Sequence, residues 1–154
     1  MAVESVEILP RPEITENRIR IRTLSPIEVH STLSKGDGSK KTYYYKPRER
    51  EFGELVASNM AKKWEALYGE KCPYSLNMEP VRVEYLKSAV LKYKGFVIEG
   101  WKGHFWLEGE PEFLQFALDA GLGSRNSQGF GCVDRVLPRE VSGVGNREFG
   151  KEGR

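Results

Sequence analysis

From Arg18 to Thr23 cationic and apolar residues alternate strictly, Arg-Ile-Arg-Ile-Arg-Thr. A period of two predicts a strand with one apolar and one cationic face. Ser25-Pro26 interrupts it, and Ile27, Val29 and Leu33 resume the odd-numbered apolar face. Lys35-Gly36-Asp37-Gly38-Ser39 reads as a flexible turn and Lys41 to Lys46 as a returning strand, so a hairpin with a basic tip is expected. Its Tyr43, Tyr44 and Tyr45 suit stacking on unpaired bases and equally suit a strand as such.

The period then changes. Phe52, Leu55, Val56, Met60, Trp64 and Leu67 recur at helical spacing, which predicts a helix opened by Pro47, running to about Tyr68 and stopped by Gly69, with these six in the core. Met78 to Leu91 reads mostly as strand, with Val81, Val83 and Tyr85 alternating against Arg82 and Glu84, and with room for a bulge after Lys87. Lys92-Tyr93-Lys94-Gly95 reads as a turn. Phe96 to Trp101 and His104 to Glu108 continue as strand, interrupted at Lys102-Gly103. Pro111 begins a second, broadly apolar helix that Gly121 ends, and Cys132 to Leu137 is the last strand.

Strand with hairpin, helix, strand, strand, helix, strand is the ferredoxin-like βαββαβ plan, an α+β fold with two helices on one face of an antiparallel sheet. Residues 18–138 make that domain. Ahead of it, Val3, Val6, Ile8 and Leu9 form a short apolar stretch stopped by Pro10-Arg11-Pro12, so residues 1–17 read as a strand and linker. Residues 139–154 are rich in glycine and charge and read as a disordered tail.

The chain has 154 residues, enough for one domain with a real core and too few for two ordinary ones. At 39% hydrophobic and 30% charged residues it suits a soluble globular protein. A net charge of +2 is only mildly basic, so any nucleic-acid surface must be a local patch. Cys72 and Cys132 are far apart and have no metal-type spacing, which reads as two reduced thiols of a cytoplasmic protein. No run reaches the length of a membrane span. No His, Cys, Asp or Glu cluster has metal-ligand spacing, and no cofactor is implied.

The stretch most suggestive of chemistry joins the second helix to the last strand, Gly121-Leu122-Gly123-Ser124-Arg125-Asn126-Ser127-Gln128-Gly129-Phe130-Gly131. Four glycines let the chain turn with positive φ and expose its amides. Free N–H groups beside the Arg125 guanidinium would cradle a phosphate or another anion. The alternative is a long turn in which glycine only relieves strain. A nucleotide-hydrolase loop is excluded, because the Gly-Lys-Ser/Thr ending is missing. A dinucleotide site is excluded too, because the glycines do not open a helix after a strand.

Gly-hydrophobic-Gly, five spacer residues, then Gly-hydrophobic-Gly resembles the signature loop of the CRISPR-associated RAMP endoribonucleases that process precursor CRISPR RNA. Arg125-Asn126-Ser127 is similar to that family's basic and polar spacer. Thr23-Leu24-Ser25-Pro26-Ile27-Glu28-Val29 resembles the entry strand of its C-terminal domain, and the resemblance spans roughly Val6 to Leu137.

The resemblance implies metal-independent cleavage in which the ribose 2′-hydroxyl attacks the adjacent phosphate, giving a 2′,3′-cyclic phosphate. It implies a catalytic histidine in an N-terminal RAMP domain, of which residues 1–17 would be the last strand. His30 and His104 match no catalytic position of the family, so no catalytic residue is assigned and no cleavage by the chain alone is expected. Contact with CRISPR repeat RNA is assigned to Gly121, Gly123, Ser124, Arg125, Asn126, Ser127, Gly129 and Gly131, with Arg20, Arg22, Lys92 and Lys94 extending the positive surface. Two other readings stay open. One is a non-catalytic RAMP subunit holding guide RNA in an effector complex. The other is a ferredoxin-like regulatory or oligomerisation module.

Overall fold

A computed structural model describes residues 13–137. The apolar stretch before residue 13 and the segment 139–154 lie outside the described residues. The elements run β1 (Arg18–Thr23), β2 (His30–Ser34), β3 (Lys40–Tyr44), α1 (Arg50–Tyr68), β4 (Leu76–Pro80), β5 (Lys87–Tyr93), β6 (Phe96–Lys102), β7 (His104–Gly109), α2 (Pro111–Ala120) and β8 (Val133–Val136). Short 3-10 turns occupy Val83–Tyr85 and Asn126–Gln128.

The main sheet has the order β4-β7-β1-β8, and all its pairs are antiparallel. With α1 after β1 and α2 after β7, this is the ferredoxin-like arrangement expected from the pattern. Ile19 and Ile21 of β1 sit opposite Leu107 and Phe105 of β7. These four are buried with Phe52, Val56, Met60 and Trp64 of α1 and Phe113, Leu114 and Ala117 of α2. The four buried residues of α1 repeat every fourth position, the stripe a sheet-covering helix needs. Gly53 lets that stripe approach closely, since a Cβ there would stand 2.7 Å from the Met78 carbonyl oxygen.

Several expectations shift. α1 starts at Arg50, three residues after Pro47. Lys46 donates its N–H to the Glu49 carboxylate, Glu49 returns its own N–H to the Lys46 carbonyl, and Pro47 is held inside that turn. Leu67, expected in the core, is 64% exposed on the last turn. The single strand expected from Met78 to Leu91 is two. Pairing with β7 reaches Pro80 and closes with the Val81 N–H donated to the carbonyl of His104, where β7 begins. The chain then turns through Val83–Tyr85 and enters β5. β5 pairs only with β6, as β2 pairs only with β3, so two hairpins stand beside the main sheet. An Ile27–Trp101 bridge ties the β5–β6 hairpin to the segment between β1 and β2. Ile14 is buried in the same core, so the stretch leading into β1 folds with this domain.

Candidate nucleic-acid interface

The glycine loop is a knot of hydrogen bonds tied onto the Ser25–Glu28 segment. Gly131 donates its N–H to the Pro26 carbonyl at 2.7 Å and Ser124 to the Glu28 carbonyl at 2.8 Å. Leu122, buried between Gly121 and Gly123, donates its N–H to the Gly131 carbonyl. The Asn126 amide donates to the carbonyls of Leu122 and Phe130. From α1, Lys63 Nζ donates to the carbonyls of Gly121 at 2.8 Å and Gly123 at 2.9 Å. Burial pushes the Lys63 ammonium down to about 8.

This architecture corrects the open-cradle reading. The amides of Gly121, Leu122, Ser124, Gln128, Gly129, Phe130 and Gly131 already have internal acceptors. The backbone amides of Gly123, Arg125, Asn126 and Ser127 have none among the described residues. Gly121, Gly123 and Gly131 are buried, whereas Ser127 and Gly129 are exposed and Ser124, Arg125 and Asn126 half-buried. Glycine is required at position 123 by close packing as well as by its φ of +73°: a Cβ there would lie 2.4 Å from the Glu28 carbonyl oxygen.

Arg125 takes a left-handed φ of 59° at the start of the exposed part of the loop. Its guanidinium is not the lone cation expected from sequence. Arg125 Nε lies 3.5 Å from Glu28 Oε2, and the Glu28 side chain is completely buried. The other carboxylate oxygen, Oε1, meets His30 Nδ1. The His30 ring also leans on Tyr44, centroid to centroid 5.8 Å. A buried carboxylate costs several kcal/mol of desolvation unless cations and hydrogen bonds offset it. Here Arg125 balances the charge and His30 supplies the hydrogen bond.

Sequence reasoning missed Glu28 because its neighbours Ile27 and Val29 are buried as well. In a regular strand Glu28 would face solvent. This segment makes one isolated bridge, and the loop covers its other side. The available signal was the two-residue spacing of Glu28 and His30, which sets both on the side away from the apolar positions.

The other candidate cations lie elsewhere. Arg20 and Arg22 lie on the sheet face away from the helices. Arg20 donates its Nε–H to His104 Nδ1 at 3.2 Å, and Arg22 stands 3.7 Å from Asp134. Their neighbour Arg18 pairs with Glu79 and stacks over Trp106. Glu79 and Asp134 on the neighbouring strands thus offset part of the charge of this row. Burial first, then the charges of Arg20 and Arg22, hold the His104 pKa below the usual imidazole value. With Nδ1 accepting from Arg20, His104 can present only an N–H, so it is no base while that bond holds. Lys92 and Lys94 sit at the Lys94-Gly95 turn of the β5–β6 hairpin, whereas Trp101, near its other end, meets Ile27. The predicted residues therefore occupy a loop, a sheet face and a hairpin tip; the structure does not merge them into one patch.

Among the described residues no three His, Cys, Asp or Glu side chains gather as a metal site. No helix among them is long and apolar enough to cross a membrane.

Comparison with known proteins bears on this geometry. The family profile "CRISPR associated protein Cas6, C-terminal" matches residues 9–135. The chain is 30% identical over 139 residues to "CRISPR-associated endoribonuclease Cas6 1" of Methanocaldococcus jannaschii, covering 87% of this chain and 50% of that protein. It is 33% identical over 111 residues to "CRISPR-associated endoribonuclease Cas6" of Pyrococcus furiosus, covering 72% of this chain and 39% of that protein. A solved structure described as "CRISPR associated protein Cas6" superposes with a TM-score of 0.74 at 30% identity, covering 85% of this chain and 52% of the other. The chain thus spans half or less of the length of the curated relatives it matches.

Proposed function

This chain belongs to the Cas6 C-terminal family, and from that premise we propose that it is the RNA-holding C-terminal half of a CRISPR RNA-processing endoribonuclease, acting in the cytoplasm. The observation that carries the RNA reading is Arg125. Its Nε faces a buried carboxylate at ion-pair distance, 3.5 Å, on a loop tied down at both ends, and about a quarter of its side chain stays accessible. A guanidinium held this way meets a phosphate with little conformational entropy left to lose.

The reaction served is metal-independent attack of a ribose 2′-hydroxyl on the neighbouring phosphate, leaving a 2′,3′-cyclic phosphate. The general base belongs to an N-terminal RAMP domain, and this half positions the repeat. The sheet face carrying Arg18, Arg20, Trp106 and His104 is where that domain, or an effector-complex subunit, would lie. Support for an RNA partner rests on what the two relatives are named to do and on a cation presented from an ordered loop.

The test is binding of a labelled CRISPR repeat RNA from the same genome by the purified chain across a salt titration. Affinity should fall as salt rises, and Arg125→Ala should weaken binding and lower the log–log salt slope by about 1. Binding unchanged by Arg125→Ala at every salt concentration would remove the loop from the RNA site.

A further inference from the structure

Glu28 does more than balance Arg125. It meets a histidine through one oxygen and an arginine through the other, and it is wholly shielded from water. In the tautomer that donates Nδ1–H to the carboxylate, the His30 ring keeps a lone pair on Nε2. Neither His30 Nε2 nor the Arg125 Nη atoms have a partner among the described residues, and they are not among the side-chain atoms sealed from solvent. The cluster therefore sets a hydrogen-bond acceptor and a cation on the two oxygens of one buried carboxylate. Its ligand should carry a hydroxyl donor next to an anion. In a polynucleotide that pair exists only in RNA, as the ribose 2′-hydroxyl and its adjoining phosphate.

We propose that Glu28, His30 and Arg125 form a ribose-reading site: His30 Nε2 accepts the hydrogen bond of a 2′-hydroxyl, Arg125 holds the neighbouring phosphate, and Glu28 positions both. The site rests on the RNA-binding reading above and adds to it selection of RNA over DNA. It explains why a carboxylate is buried behind an arginine and a histidine at the surface of a domain for a polyanion. Arg125 neutralises Glu28, so the carboxylate does not repel the backbone. The imidazole, in its Nδ1–H tautomer, reads the sugar. His104 cannot do the same, because its Nδ1 lone pair is already taken by Arg20.

The experiment compares binding of a CRISPR repeat RNA and its all-deoxy counterpart to the whole chain, in chelator, by fluorescence anisotropy. The wild type should prefer RNA by about five- to ten-fold, the scale of one hydrogen bond made or left unmade. His30→Ala should abolish that preference by lowering RNA affinity alone. Arg125→Ala should weaken RNA and DNA alike and leave their ratio in place. Glu28→Gln should erode the preference, because an amide no longer fixes which imidazole nitrogen carries the proton. An unmodified RNA-to-DNA ratio in His30→Ala, with its unfolding midpoint intact, would overturn the site while leaving RNA binding standing. Binding of neither polymer by the wild type would overturn the RNA reading itself. Should Glu28→Gln fail to fold, His30→Ala, at a ring one-quarter exposed, decides the matter alone.

Discussion

A methyl group placed on Gly131 would stand 1.9 Å from the Leu122 carbonyl oxygen. No rotamer relieves this, since the obstacle is backbone and Leu122 also donates its N–H to the Gly131 carbonyl. Gly129, two residues earlier, has a similar positive φ and nothing within 4 Å. Gly131→Ala should therefore destabilise the domain by about 3 kcal/mol or more, from left-handed strain together with overpacking. Gly129→Ala should cost about 1 kcal/mol, from backbone strain alone. Urea unfolding of the two variants checks this; equal losses would mean that the loop is not knotted as described.

Lys63 fastens the same loop from α1. Lys63→Met removes the donor to two carbonyls and should lower stability by about 1–3 kcal/mol. The pH dependence carries a signature. The folded-state pKa is near 8 against 10.5 for the free side chain. Between those values the unfolded chain holds a proton that the folded chain has released, so stability rises with pH through this window. Denaturation at pH 8 and pH 10 should show that rise in the wild type, and less of it in Lys63→Met.

His104 sets an acid limit. Its pKa is lowered in the folded state by burial and by Arg20 and Arg22. Below the unfolded value of about 6.5 the unfolded chain takes up the proton more readily, and stability falls as pH drops further. Thermal unfolding from pH 7 to pH 5 should show the decline, and His104→Gln should flatten it.

The division of labour proposed above predicts a null reaction. Repeat RNA incubated with this chain in chelator should yield no 2′,3′-cyclic phosphate product over the uncatalysed background. Efficient cutting would place a general base on this chain, and the His30→Ala variant would then show whether it is His30.

Periodicity alone located β1, the core face of α1, nearly all of α2 and the last strand. A buried stripe imposes its own spacing on the chain, and both helices carry theirs at full strength. The same reasoning overran at Val81–Tyr85, where alternation persisted but the partner strand, which begins at His104, reaches no further than Val81, and strands exist only where something pairs with them. The glycine spacing likewise marked the loop without saying which way its amides point.

What the residues determined on their own was the layering of two helices on an antiparallel sheet, along with a positively charged glycine turn before the last strand. Those depend on local periods and on backbone freedom, both written in short windows. Tertiary structure decided the rest. It buried Gly121, Gly123 and Gly131 in close packing, scattered the arginines and lysines over three surfaces, and brought Glu28 and His30 to Arg125 from 95 or more positions away in the chain. Long-range charge pairing has no period to read, because it is set by which segments the core has already brought together.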